Sequence, residues 1–209
     1  MARNNKSVPL GSGRTYVAEL TEGMSLLAAD LVGLCKEENL LGETKNGATL
    51  SYTSSPHKEQ DDHGVLMRII TIEEEAKLKL GLFSWCNETL TKLVATGRMA
   101  TEGDYNVLKL GGLNNDNGKR YVVVFRQIDP QLGDLYVAIV GTNTAGLSLA
   151  FARDNTTKLE PEFTALPCDE EGTLIKMFEA LPKTAASAQN DGGSSGSEPA
   201  GNGSDEQTD

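Results

Sequence analysis

The sequence predicts a mainly β protein: an antiparallel β-sandwich or barrel that carries one packed α-helix and ends in a disordered tail. Many short segments alternate apolar and polar residues with the period of a strand. One segment has clear helical spacing. Residues 184–209 contain no Leu, Ile, Val or aromatic residue. We therefore expect a flexible N-terminal arm (1–14), a β domain (15–182) and a disordered, acidic Gly/Ser-rich tail (183–209).

The first half of the chain contains four segments with strand alternation. Asn46-Gly47 precedes one of them and is a typical turn pair. Residues 54–64 are polar and lie between two of them, so a long hairpin is predicted there. The four segments are 15–21, 49–53, 65–72 and 77–82.

One amphipathic helix follows these strands. Leu90, Leu93 and Val94 form its apolar stripe. Ser84 or Asn87 is the expected N-cap, and Gly97 stands where a C′ glycine belongs. Residues 24–34 fit either a second short helix or an irregular insertion, and the pattern leaves both open.

The second half of the chain predicts an antiparallel meander. Asn117-Gly118 marks a turn before its first strand. A strand containing Leu159 and Phe163 is expected to lie at an edge or to carry a bulge, because Pro161 cannot donate a ladder hydrogen bond. The other predicted strands are 119–128, 135–140, 147–153 and 173–178.

Composition excludes several classes of function. The formal charge is −11, of which residues 184–209 hold −5, so the remaining −6 makes the β domain acidic too. Nucleic-acid binders need clustered Lys and Arg, which this chain lacks. No apolar run approaches the length of a membrane span and no secretory signal is visible, so we expect a soluble chain. Three widely spaced cysteines predict reduced thiols.

The loop after residues 135–140 has the glycine spacing of a phosphate-binding loop. Gly141 and Gly146 fit that motif, but Leu147 stands where its lysine should be. Residues 147–153 alternate as a strand rather than opening a helix. A hairpin turn is therefore the favoured interpretation, and no cofactor is expected.

The two histidines, His57 and His63, lie in one polar segment with Asp61 and Asp62. A catalytic histidine or a metal site would need these side chains to converge, and their spacing fits no compact metal site. We predict no catalytic, cofactor-binding or metal-binding residue in the chain.

The other clusters fit ordinary structural elements better than functional sites. Residues 114–118 lack the ligand pattern of a calcium loop and fit a turn. The acidic runs 73–75 and 169–171 fit charged strand ends or loops as well as a carboxylate pair. Cys86 is predicted to be a small buried hydrophobe rather than a reactive thiol. An enzyme is therefore not expected.

The order of these elements and the wording of two stretches resemble the major tail tube proteins of tailed bacteriophages. The stretches are GETKNGATLSYT, residues 42–53, and GLSLAFARDNTTKLEPEFTALPCDEEGTLIKMFEA, residues 146–180. The second joins a strand, an Asp-Asn turn, a Pro-containing strand, an acidic turn and a closing strand. The resemblance covers residues 14–182.

That resemblance implies a structural virion protein of the phage tail. Six subunits would close into a ring, and stacked rings would form a hollow tube for DNA ejection into the host. DNA would pass transiently, without specific binding and without a membrane partner. The other partners would be the tape measure, terminator and initiator proteins. Assembly would occur in the cytoplasm of the host bacterium.

The same resemblance implies contacts between successive rings. The N-terminal arm 1–14 and the polar hairpin 54–64 would provide them, while an ordinary terminus and loop remain the alternative. The candidate contact residues are Ser54, His57, Lys58, Asp61, Asp62 and His63.

Two other classes of function stay open. A monomeric β-sandwich binding or adhesion module would share the hairpins and the lack of catalytic residues. A small hydrolase would need His57 or His63 beside a pocket. The C-terminal tail is either a passive solubilising segment or a tether to a partner.

Overall fold

The computed structural model describes residues 13–60, 63, 67–149, 151 and 159–179. Its strands are β1 (Gly13–Glu19), β2 (Leu40–Gln60), β3 (Met67–Leu82), β4 (Arg98–Glu102), β5 (Tyr105–Lys109), β6 (Tyr121–Gln127), β7 (Leu135–Asn143), β8 (Glu162–Leu166) and β9 (Lys176–Glu179). The helices are α1 (Ala28–Gly33) and α2 (Asn87–Leu93), with 3₁₀ turns at Glu37–Asn39 and Leu113–Asn115. The predicted mainly β class is confirmed, and α1 packs on the sheet as well as α2.

Six antiparallel strands pair in a closed cycle. Their order is β6-β1-β2-β3-β8-β7, and β7 pairs back with β6. On the side away from β6, strand β7 has two partners. Its second half pairs with β8 and its first half pairs with β9. Strands β4 and β5 form a separate hairpin beside α2. The closed cycle is a barrel, which leaves few unpaired edges in the body of the protein.

The interior of the barrel is filled by alternate residues of every strand. Val17, Leu78, Val123, Ile139 and Phe163 are buried there. Side chains two apart share a face of a strand, so the Leu-rich alternation of residues 76–82 supplies one complete inner row. Helix α2 adds two leucines at positions 90 and 93 to the same cluster.

A second apolar layer lies on the outer side of β6 and β7. Val122, Val124 and Tyr136 belong to it, and Leu31 of α1 and Phe178 of β9 pack over it. The Tyr136 and Phe178 rings stack with centroids 5.2 Å apart. Because β6 and β7 are buried on both faces, their sequences read as continuous apolar runs.

The strand predicted for residues 147–153 is wrong where the structure describes it. Residues 144–149 and 151 are irregular. Leu147 and Leu149 nevertheless pack against the barrel core, while Ser148 is exposed. Alternate side chains of this loop are buried, which gives the sequence the pattern of a strand although the described residues pair with no strand here.

The predicted helix and turn signals were also partly wrong. The N-cap of α2 is Cys86, without a side-chain hydrogen bond, and Ser84 instead accepts the Glu43 N–H at 2.8 Å. Gly97 lies beyond the C-cap, Val94, and has no left-handed φ. The Asn46-Gly47 pair sits in a register shift inside β2 rather than in a turn. Asn117-Gly118 joins no hairpin, because β5 ends at residue 109.

Several boundaries differ from the prediction. The segment 24–34 contains α1, so the helical alternative is correct for residues 28–33. The last strand begins at residue 176 rather than 173. The β4–β5 hairpin was not predicted. Neither described helix has the length and apolarity that crossing a membrane requires. Residues 1–12 and 180–209 lie outside the described residues, as do the predictions of flexibility and disorder made for them.

Candidate functional site: a projecting hairpin

The longest feature of the fold is the β2–β3 hairpin, which extends beyond the barrel. Its register runs from Thr44↔Leu82 to Gln60↔Met67. Strand β1 pairs with β2 only as far as Glu43, and β8 pairs with β3 only over residues 77–79. We call the exposed residues 51–60 and 67–75 the projecting hairpin. Within the described residues, its two strands pair only with each other.

Side chains of the projecting hairpin face water. Every described residue of 51–60 and 67–75 is exposed, whereas Ala76, where the barrel begins, is fully buried. Five of the exposed residues are large hydrophobics: Tyr52, Met67, Ile69, Ile70 and Ile72. An isolated two-stranded hairpin is marginally stable in water, and exposed apolar side chains of this kind are typical of a contact surface.

The backbone edges of the hairpin are unpaired as well. Residues 44–60 of β2 have no strand on the side away from β3, within the part of the chain that the structure describes. Residues 67–76 of β3 have none on the side away from β2, with the same restriction. Such edges present rows of N–H and C=O groups that template pairing with another strand.

A bulge divides the hairpin into a base and a tip. Ser55 pairs with Glu73 and Pro56 with Thr71, so Ile72 has no partner across the ladder. Pro56 has no N–H to donate, which fits its place at an irregularity. A bulge bends its strand and increases the local twist. The tip (56–60 and 67–71) is therefore turned relative to the base.

One face of the sheet is charged where the hairpin joins the barrel. Glu75 contacts Lys77 at 2.9 Å, and Lys79 contacts Glu160 at 2.8 Å. A hydrogen bond to Glu75 raises the pKa of Lys77, and one to Glu160 raises the pKa of Lys79. On the opposite face, a hydrogen bond to Glu74 raises the pKa of Tyr52.

The candidate contact residues fall in three places. Ser54, His57 and Lys58 are exposed strand residues of the projecting hairpin rather than loop residues. His57 Nε2 lies 2.8 Å from Glu59 Oε1. His63 is an exposed turn residue, and Asp61 and Asp62 lie outside the described residues. Among the described residues, no group of three or more His, Cys, Asp and Glu side chains is placed to hold a metal ion.

The remaining polar clusters have local roles. Asp169 accepts the Thr173 N–H at 2.9 Å, and this bond lowers the pKa of the Asp169 carboxyl. Asp116 accepts the Gly118 N–H at 2.9 Å, as expected of a turn. Asn143 at the end of β7 donates to the Gly146 carbonyl and organises the loop that resembled a phosphate site.

The prediction that Cys86 is buried is wrong. Cys86 is exposed at the start of α2, and its Sγ lies 3.3 Å from the Thr89 hydroxyl. That hydrogen bond lowers the pKa of the Cys86 thiol. By contrast, burial raises the pKa of Cys35 to about 11.

The sequence predicts a long hairpin around the polar segment 54–64 but not its open edges. Residues 54–60 belong to strand β2 and pair with residues in the range 67–74 of β3.

Comparison with known proteins finds structural neighbours but no family. No protein-family model matches the chain, and no curated protein matches it. Among solved structures, a chain described as the tail of an empty GTA particle, computed with helical refinement and C6 symmetry, matches with a TM-score of 0.35 and 9% sequence identity. The match covers 86% of this chain and 100% of that chain.

Proposed function

We propose that this protein is a structural subunit that polymerises through its projecting hairpin, as a tail tube subunit does. The observation that carries the proposal is the hairpin itself, whose side chains are exposed and whose two outer backbone edges are unpaired among the described residues. The body of the protein closes its sheet into a barrel. A long hairpin with unpaired backbone edges, attached to an otherwise closed sheet, is expected of a protein that pairs with copies of itself.

The two open edges belong to different strands. The β2 edge of one copy, residues 44–60, can therefore pair with the β3 edge of the next, residues 67–76. This contact is heterologous, because two different surfaces meet. A heterologous contact that repeats with a closing rotation forms a ring, and every internal edge is then satisfied. The six-fold ring and the stacking of rings follow from the family resemblance of residues 14–182.

The charged face suits a conduit for DNA. Glu73, Glu75 and Glu162 lie on it with Lys77 and Lys79, and Glu160 adds a further carboxylate. Carboxylates outnumber ammonium groups, so a channel lined by this face would repel phosphates and let DNA pass without binding. We propose this face as the channel lining, and a structural rather than catalytic role for the protein.

The same proposal includes where the protein acts and which proteins it contacts. The assembled protein would belong to the virion tail, after polymerisation in the cytoplasm of the host bacterium. A tape measure, a terminator and an initiator complex would set the length and the ends of the tube.

Negative-stain electron microscopy at rising protein concentration tests the proposal, with light scattering on the same samples. We expect rings or hollow stacked tubes, and particles whose smallest closed form has six times the chain mass of 22.3 kDa. A full-length chain that stays monomeric at every concentration, including with a seed of preformed tail tips, would contradict it. That outcome would favour a monomeric binding module.

A further inference from the structure

The pair Asn117-Gly118 lies in the exposed loop between β5 and β6, away from the projecting hairpin. Every residue of 111–120 is exposed. An asparagine side chain followed by glycine is open to attack by the next backbone nitrogen, because glycine has no side chain that obstructs the approach. The loop therefore presents a reactive pair to water, and the proposed function makes no use of it.

The loop holds the backbone nitrogen of this pair against a carboxylate. The Gly118 N–H donates to Asp116 Oδ1 at 2.9 Å. Gly118 has a φ of 59°, in the left-handed region that glycine adopts readily. This N–H takes part in no strand pairing, since β6 begins at Tyr121. A carboxylate at this distance is within reach to accept the proton of the nitrogen.

The same turn polarises the side chain that would be attacked. The Lys119 N–H donates to Asn117 Oδ1 at 2.9 Å, and such a donor stabilises negative charge that develops on a carbonyl oxygen. The Asn117 N–H donates to the Ala95 carbonyl at 3.0 Å, which fixes the position of the residue. A nucleophile, a proton acceptor and an oxyanion donor thus lie within four consecutive residues.

We propose that Asn117 is a self-modification site, which deamidates with Asp116 as the proton acceptor and the Lys119 N–H as the oxyanion donor. The Gly118 nitrogen forms a bond to Asn117 Cγ and passes its proton to Asp116. The bond from Cγ to Nδ2 breaks, and the leaving nitrogen takes that proton and departs as ammonia. Water then opens the cyclic imide to aspartate or isoaspartate, with no change of oxidation state.

The product changes the entrance to β6. Either form adds a negative charge beside Asp116 and next to the Lys119–Glu19 ion pair, whose atoms lie 2.6 Å apart. Isoaspartate also lengthens the main chain by one methylene group before Tyr121. The reaction is a one-way change to this surface, and it does not depend on assembly through the projecting hairpin.

The chain contains a matched control in Asn46-Gly47 of β2. The residue before that pair is Lys45, whose ammonium group accepts no proton. The full chain is incubated at neutral pH, and trypsin then releases residues 110–119 and 46–58 for mass spectrometry, with isoaspartate methyltransferase as a second readout. We expect Asn117 to convert at least about tenfold faster than Asn46, because only Asn117 has a general base.

Two variants test the role of Asp116. Asp116→Asn keeps an oxygen that accepts the Gly118 N–H but does not take its proton, so conversion of Asn117 should slow by about tenfold. Asp104→Asn removes the carboxylate of another exposed turn and should leave the rate unchanged. Urea denaturation of both variants should match the wild type, because both side chains are exposed.

A synthetic peptide of residues 110–119 provides the reference without the fold. Faster conversion of Asn117 in the folded chain than in the peptide, together with slowing by Asp116→Asn, is the expected result. Conversion that is no faster in the folded chain than in the peptide would overturn the proposal. Faster conversion after Asp116→Asn would also overturn it, because Asp116 would then shield the nitrogen rather than accept its proton.

Discussion

Strands β2 and β3 run from the barrel into the projecting hairpin, and their residues are placed in opposite ways in the two regions. Residues 76–82 of β3 alternate buried leucines with lysines and pair on both sides, while residues 67–75 are exposed throughout and pair on one side among the described residues. The first stretch lowers the free energy of the folded monomer. The second stretch contributes little to the stability of the monomer, because its side chains stay exposed to water. The difference teaches that burial, which stabilises the monomer, and exposed surface, which we propose serves assembly, lie on separate lengths of one strand.

The largest expected effect is on the barrel core. Phe163 of β8 is fully buried among the inner row. Phe163→Ala should lower the free energy of unfolding by about 3–5 kcal/mol, because it removes buried apolar surface and leaves a cavity. Urea denaturation of the monomer measures this, with Ile69→Ala on the exposed hairpin as the control, for which we expect less than about 0.5 kcal/mol. Equal losses would erase the distinction between the two regions.

A smaller loss is expected where the barrel meets α2. The buried Thr89 hydroxyl donates to the Leu41 carbonyl at 3.1 Å. Thr89→Val keeps the shape but leaves that carbonyl without its donor, which should cost about 1–3 kcal/mol. Thr91→Val is the control, because the half-buried Thr91 hydroxyl donates only within α2, to the Glu88 carbonyl. An unchanged urea midpoint for Thr89→Val would show that water replaces the lost bond.

The opposite sign is expected at Thr15 of β1. Its hydroxyl is buried and has no hydrogen-bond partner among the described residues. Thr15→Val removes a desolvated polar group at almost constant volume, so we expect the free energy of unfolding to stay equal or to rise by about 1 kcal/mol. A loss above that size in urea denaturation would mean that the hydroxyl has a bonded partner.

The smallest effect is expected at the β8–β9 turn, and it depends on pH. The Thr173 N–H bond, with help from Lys176, lowers the pKa of Asp169 from its ordinary value of 3.8. A lowered folded-state pKa gives stability that is present above 3.8 and is lost as pH falls through the lower folded value. Asp169→Asn should therefore melt about 2 °C lower at pH 7 and no lower at strongly acidic pH. A difference that persists in acid would indicate a loss of shape rather than of charge.

Local sequence patterns predict the strands that have one face toward the core and the other toward water. Lys77 to Leu82 alternates cleanly because one face meets the core and the other meets water. Strands β6 and β7 are predicted from the sequence, but the outer layer with Leu31 and Phe178 is not, because covering a second face depends on residues far away in sequence. The loop 144–149 shows the converse, since Leu147 and Leu149 alternate as a strand would without pairing.

The sequence predicts part of the candidate site, namely its exposed polar residues, but not how they pair. Ser54, His57 and Lys58 were singled out correctly as exposed polar residues, yet the pairing that makes them part of a strand depends on residues 67–75. The bulge was not predicted, because a one-residue register shift is visible only when both strands are aligned. Which side chains share a face of the hairpin therefore follows from the ladder and not from composition.

The most direct test of the account is sedimentation velocity on a shortened chain. Replacing residues 53–75 by Asn-Gly would join Tyr52 to Ala76 through a two-residue turn and leave the barrel strands intact. We expect a monomer at every concentration, with a melting temperature within about 5 °C of the full chain, under conditions where the full chain forms rings or tubes. A shortened chain that still assembles would contradict the claim that the projecting hairpin carries assembly.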